Sequence, residues 1–233
     1  MSKWYAKLFH FLGFLECMYA LEIYHRYTGI LPITYGGKWK YLTYINLNVK
    51  ALCFSLFVLD DVLGYLCRSA PSLQGMKDSV CKFKSVFYTT VALPASMMVF
   101  VMFWSLFLID RELVYPKSFD QHFPSWANHL WHSTILTVLL EAACIKHPYP
   151  SKTTSLIITN TGGLLYLVWI LWVEKVGGVV IYPFLAQLHG FEFVLFVLTE
   201  FAFIQLLFNF GKLLNHLSGG TTNHKLETTK KAT

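Results

Sequence analysis

Thr43, Asn46 and Lys50 lie in one apolar run at spacings of three and four residues, so on a helix they share a face and form a polar stripe roughly 10 Å long. Further along, the segment NHLWHS carries Asn128, His129 and His132, and Asn128 and His132, four apart, stack on a common side. A hydroxyl and an imidazole invite one particular chemistry. Threonine is a weak nucleophile until a base within about 3 Å takes its proton, and histidine titrates close enough to neutrality to be that base. Trp39 and Trp126 mark the interface end of the two runs; Thr43 lies four residues beyond the first and His132 six beyond the second. Their depths therefore agree to within about one helical turn, roughly 5 Å. The ordinary roles stand beside this one: a membrane threonine bonding back to the carbonyl one turn earlier, and a histidine at the headgroups or bridging two helices.

The other ionisable groups in apolar runs fit that chemistry less well. Asp60 and Asp61 lie seventeen and eighteen residues past Thr43, about 25 Å along a helix axis, and so belong at the opposite end. Glu141 is out of phase with His132 and reads as a helix-pairing contact. Glu200 is read as protonated or paired with Lys50, because an isolated charge in hydrocarbon is costly. His129 and His132 form one H-x-x-H pair, too few for a metal centre unless His122, His189 or a carboxylate joins them. The chain contains no G-x-S-x-G and no H-E-x-x-H, and its glycine pairs form no phosphate loop. No metal or cofactor is expected. Gly162-Gly163 reads as a point of close helix packing.

These residues need apolar elements to hold them, and the composition supplies those. Of 233 residues, 55% are hydrophobic and only 14% charged, with a mean hydropathy of +0.47, which is the profile of a membrane protein. Six apolar runs reach a bilayer-crossing length of about 20 residues: Lys7 to Tyr24, Tyr41 to Leu66, Val86 to Ile109, Trp126 to Ile145, Leu156 to Val173 and Phe191 to Leu214. The fold class is all-α, a polytopic bundle of about six transmembrane helices. The first run holds Glu16 and Glu22 and also admits an interfacial, amphipathic reading. His10 and the same glutamates interrupt it too early for a cleavable leader. Basic residues favour one set of segments: the N-terminus, second loop, fourth loop and tail hold twelve, against six in the other loops. By the positive-inside bias both termini are cytosolic. Residues 1–217 form one helical domain, and residues 218–233, polar and rich in Gly, Thr and Lys, are expected to be a disordered cytosolic tail. The net charge of +6 comes from loops and tail without a basic, aromatic-interleaved face, which argues against nucleic acid and for anionic lipid headgroups. Five cysteines without C-x-x-C spacing argue against a disulfide framework or zinc ribbon.

GGKWKYLTYIN, DRELVYPKSFD followed by PSWANHLWHST, then HPYPSK and VIYPFL, resemble the androgen-induced-gene family of six-span membrane proteins, in the same order and over residues 30 to 216. The resemblance implies a threonine hydrolase that cleaves fatty acid esters of hydroxy fatty acids, a substrate that enters from the bilayer of the plasma membrane or endoplasmic reticulum. The family's threonine follows a W-K pair by three residues and maps onto Thr43. Its histidine, the second of an N-H-x-x-H-S/T stretch, maps onto His132. The family commonly has glutamine where this chain has Lys50. On that reading Thr43 is nucleophile and His132 general base; Asn46, Asn128, His129 or free amides at a helix N-terminus supply the oxyanion donor. Lys50, Lys38 or Lys40 would meet the lipid's carboxylate. The alternative from another class is a lipid-binding scaffold or carrier without catalysis.

Overall fold

The computed structural model describes residues 3–29 and 32–218; apart from Ser218, the tail expected to be disordered lies outside them. Eight helices follow one another: α1 (Lys3–Thr28), α2 (Leu42–Leu66), α3 (Gln74–Phe87), α4 (Leu93–Ile109), α5 (Ser125–His132), α6 (Ile135–Cys144), α7 (Lys152–Gly177) and α8 (Phe191–Leu217). Four helical stretches are long and apolar enough to cross a membrane: α2, Pro71–Ile109, α7 and α8. The described residues contain no strand, and the chain is a polytopic helical membrane bundle.

The first apolar run, α1, is not among these four stretches and packs lengthwise against α2. His10 of α1 meets Asp61 of α2 at 2.6 Å, while His25 meets Tyr44 at 3.1 Å, so the two helices run antiparallel along their whole lengths. Cys17 and Ala20 between those points are fully buried.

The third run continues from α3 through a π-helical turn, Tyr88–Ala92, into α4. Pro94 supplies the reason. It has no N–H for the Thr90 carbonyl, and a widened turn is the usual accommodation; Thr89 and Thr90 bond back to the Ser85 and Val86 carbonyls, at 2.8 and 2.7 Å.

The fourth run, expected as one helix, is two. It breaks at Ser133 and Thr134, leaving α5 with eight residues and α6 with ten. A break within a bundle leaves carbonyls without their helical donors, and buried side chains satisfy them here. The Thr134 carbonyl accepts from Lys50 Nζ at 2.8 Å and from Thr137 Oγ1 at 2.9 Å, and Trp104 Nε1 donates to Ser133 Oγ at 3.1 Å. α7 begins at Ser151, whose hydroxyl accepts from Thr154 N, and stops at Gly178, which takes the left-handed conformation (φ 63°) that favours glycine.

Two layers of contact tie the ends together. At one end Glu141 of α6 joins His147 at 2.8 Å and approaches His10 at 3.3 Å, Lys84 of α3 pairs with Asp60 of α2 at 2.5 Å, and Asn215 of α8 donates to the Ile145 carbonyl at 2.9 Å. The beginning of α1 and the end of α8 thus lie at the same end. Asp60, Asp61 and Glu141 all belong to it, away from Thr43. The opposite end is aromatic: Tyr24, Tyr44 and Trp131 pack together with ring centroids 5.1 Å apart, and Trp169 Nε1 donates to the Trp39 carbonyl at 3.0 Å.

Candidate active site

Thr43 sits in the first turn of α2, and what fixes that turn comes from distant parts of the chain. Leu42 N–H, one of the donors a helix start leaves without an internal partner, donates to Tyr182 Oη at 3.2 Å. Tyr182 in turn lies 2.9 Å from Tyr166 Oη, which donates to the Lys40 carbonyl at 3.0 Å. Two phenols from α7 and the loop after it therefore cap the start of α2. The next two amides, of Thr43 and Tyr44, make no hydrogen bond among the described residues.

Thr43 Oγ1 lies 3.0 Å from His132 Nε2. The other ring nitrogen, Nδ1, lies 2.9 Å from the Asn128 carbonyl oxygen. A carbonyl only accepts, so Nδ1 carries the proton and Nε2 presents its lone pair to the threonine hydroxyl. Phe103 of α4 stacks on the imidazole with centroids 3.5 Å apart and planes 9° from parallel, and His132 is 8% exposed. The ring is held on three sides. The contrast with other helical threonines is informative: Thr28, Thr89, Thr90, Thr159 and Thr199 each donate to the carbonyl four residues earlier, whereas the corresponding Trp39 carbonyl is taken by Trp169. Thr43 bonds sideways to histidine instead.

Both side chains line a cavity of about 660 Å³ between α2, α4, α7 and α8, a volume within the range of small-molecule sites. Its walls include Val49, Met98, Met102, Phe103, Leu165 and Phe201. Gly162 and Gly163 also line it; a Cβ on Gly162 would meet nothing within 4 Å and one on Gly163 would make an ordinary contact with the Phe201 ring of α8 at 3.5 Å, so Gly162 opens the cavity wall and neither glycine is required by the close helix contact expected from sequence. Asn46 lines the cavity too. Its Oδ1 accepts from Ser96 Oγ at 3.0 Å, which leaves its Nδ2 hydrogens without a partner among the described residues.

The structure separates the remaining expected residues from this cavity. Asn128 contributes its carbonyl to His132, but its side chain does not line the cavity and its Oδ1 is buried without a partner. His129 faces outward, stacked on Trp104 at 4.8 Å. Lys50 is 2% exposed and donates to the Thr134 carbonyl at 2.8 Å, Thr134 Oγ1 at 2.7 Å and Glu16 Oε1 at 3.4 Å. Its hydrogens are spent on the break between α5 and α6, which removes it as a carboxylate partner for a ligand. The expected Glu200–Lys50 pair is absent for the same reason; Glu200 lines the cavity from α8. Among the described residues no three His, Cys, Asp or Glu side chains are placed to hold a metal.

Lys38 and Lys40, from the 3-10 turn Gly37–Lys40 that precedes α2, line the same cavity. Burial lowers the pKa of both ammonium groups from the ordinary lysine value.

A bilayer-spanning helical bundle with a hydroxyl–imidazole pair on a lipid-sized apolar cavity is the class of protein that fold and site define. Comparison with known proteins gives the family. The chain belongs to the FAR-17a/AIG1-like family, whose model matches residues 5–216. It is 37% identical over 190 residues to the androgen-dependent TFPI-regulating protein of Rattus norvegicus, covering 80% of each chain. It is 35% identical over 188 residues to the Homo sapiens protein of that name, covering 79% of each, and 32% identical over 186 residues to the androgen-induced gene 1 protein of Homo sapiens, covering 78% of each. No solved structure matches the chain.

Phe103, Tyr166 and Tyr182 escape sequence reasoning. A phenylalanine in an apolar helix carries no signal of stacking on a histidine from another segment. The tyrosine cap had only one pointer, the VIYPFL motif that contains Tyr182.

Proposed function

We propose that this protein is an intramembrane threonine hydrolase that cleaves the ester of fatty acid esters of hydroxy fatty acids. The observation that carries this reading is the 3.0 Å contact between Thr43 Oγ1 and the unprotonated Nε2 of His132, on the wall of an apolar cavity. Thr43 Oγ1 attacks the ester carbonyl while its proton passes to His132 Nε2. The tetrahedral oxygen is met by Asn46 Nδ2 or by the free amides of the first turn of α2, where the helix dipole also favours negative charge. The bond from acyl carbon to alkoxide oxygen then breaks, and His132 returns the proton to the leaving oxygen, releasing the hydroxy fatty acid. Water attacks the acyl-threonine with His132 again as base, frees the fatty acid and restores the Thr43 hydroxyl. The apolar walls exclude bulk water and strengthen these contacts. Both termini face the cytosol, in the plasma membrane or endoplasmic reticulum, with the beginning of α1 and the end of α8 at the end away from Thr43.

A fluorophosphonate probe on the solubilised protein tests the nucleophile. Wild type is expected to give an adduct mapping to Thr43 by mass spectrometry, and Thr43→Ala and His132→Ala none. A folded wild-type protein without any adduct would instead point to a lipid carrier.

Lys50 is a positioning residue in this scheme, because Thr134, which it holds, is two residues from His132. Lys50→Met is expected to lower kcat by about tenfold to a hundredfold, the scale of a small misplacement of a catalytic base, with little change in KM. Lys50→Gln, which can still donate to Thr134, should retain more turnover. Parallel losses in both variants would show that charge rather than the Thr134 contact matters.

A further inference from the structure

The cavity carries a feature that hydrolysis of an ester does not itself require. Lys40 is 3% exposed, yet among the described residues its ammonium has no carboxylate within ion-pair distance. Its partners are neutral: the Thr34 hydroxyl and the face of Tyr41, 5.2 Å away. Lys38, only partly buried, likewise has no carboxylate within ion-pair distance among the described residues. Its Nζ lies 2.9 Å from His25 Nδ1, and the other nitrogen of that histidine bonds Tyr44 Oη, so the ring is a neutral acceptor. Elsewhere in the chain the lysines drawn into the bundle are paired with acids, Lys50 with Glu16 and Lys84 with Asp60. A buried cation without a counter-ion is expensive, which is the case of Lys40, and both lysines border the same apolar space as Thr43.

We propose that Lys40, assisted by Lys38, is a binding site for the carboxylate of a long-chain fatty acyl ligand, whose chain lies in the apolar cavity. The site deepens the hydrolase reading and rests on it for its purpose: the Lys40 backbone lies about one helical turn from Thr43, roughly 5 Å along the axis, so holding the free acid end of the substrate there would select the branch position that brings the ester carbonyl to the hydroxyl. An anionic group on an acyl chain could also come from a bulk phospholipid. The enclosure of Lys40 favours a slim carboxylate over a phosphodiester headgroup.

Binding, measured apart from turnover, tests this. Affinities for palmitate and for methyl palmitate are measured on wild type, Lys40→Gln and Lys38→Gln in phosphatidylcholine nanodiscs. Wild type is expected to bind palmitate about tenfold or more tightly than its methyl ester, the scale of one charge-assisted contact, and Lys40→Gln to bring the ratio close to one. Lys38→Gln should reduce the ratio by a smaller factor and provides the reading if Lys40→Gln does not fold. Equal wild-type affinities, or a ratio that survives in the Lys40→Gln protein, would overturn the site. So would loss of palmitate binding when phosphatidylserine is added to the nanodiscs, since bulk headgroups would then be its occupants. Failure of the protein to hydrolyse any ester would sink the proposed activity while leaving this ratio readable.

Discussion

Thr43→Ala is expected to hydrolyse the palmitate ester of a hydroxystearic acid at about a thousandth of the wild-type rate or less if the proposed mechanism holds, and His132→Ala to fall to a similar level. The two losses do not add in the double variant, because hydroxyl and imidazole act as one unit. What remains comes from binding and from oxyanion donors that neither substitution removes. Thr43→Ser is the informative partner. It keeps the oxygen and removes only the methyl group, so a measurable fraction of turnover survives if the hydroxyl is the nucleophile. The His132 variant also has a geometric prediction attached. Its ring lies flat against Phe103 at 3.5 Å, so His132→Gln keeps a polar group near Thr43 but cannot both donate to the Asn128 carbonyl and accept the threonine proton as imidazole does. Its activity should resemble that of His132→Ala. The measurement is release of free fatty acid by purified protein, with circular dichroism to show that each variant is folded. Normal hydrolysis by Thr43→Ala would end the mechanism.

The pairing of Thr43 with His132 was legible because two local signals agreed: helical phase put each on a polar face, and distance from Trp39 and Trp126 put both at one depth. The structure adds why the pair is close. α1 and α2 run antiparallel, and α5 stops at His132 so that the ring turns toward the first turn of α2. That stop was hidden. Ser133 and Thr134 are unremarkable in an apolar run, and part of what holds the break is distant in sequence: Lys50, eighty-four residues earlier, donates to the Thr134 carbonyl. The sequence showed Lys50 on the Thr43 face and invited a ligand role; its partners lie on α1 and at the α5–α6 break, which helical phase cannot reveal. The misreading of Gly162 and Gly163 has the same origin. Small residues allow either close packing or open space, and only the neighbouring helix decides. Lys40 is the reverse case, a residue in a short loop that looks solvated and is in fact enclosed.

Glu141→Ala is expected to destabilise the protein by about 3–5 kcal/mol, the cost of breaking a buried ionic network by removing one partner. Glu141 is fully buried; it holds His147 at 2.8 Å and faces His10 at 3.3 Å, and His10 reaches on to Asp61 at 2.6 Å. Phe57 lies between the two imidazoles, stacked on His10 at 4.9 Å and tilted against His147 at 5.5 Å. One carboxylate thus ties α1 and α2 to the segment between α6 and α7, at the end of the bundle opposite Thr43 and His132. Removing it strands His147 and leaves His10 with Asp61 alone. Loss of Glu22, exposed and paired with Arg26 one turn away, should change stability by less than about 1 kcal/mol. Denaturant unfolding in a fixed detergent, followed by tryptophan fluorescence, separates the two. A Glu141→Ala midpoint no lower than that of a Glu22→Ala control would mean that helix packing alone holds this end of the bundle. A large shift, with fluorophosphonate labelling of Thr43 retained at low denaturant, would show that the network is a structural clasp remote from the chemistry.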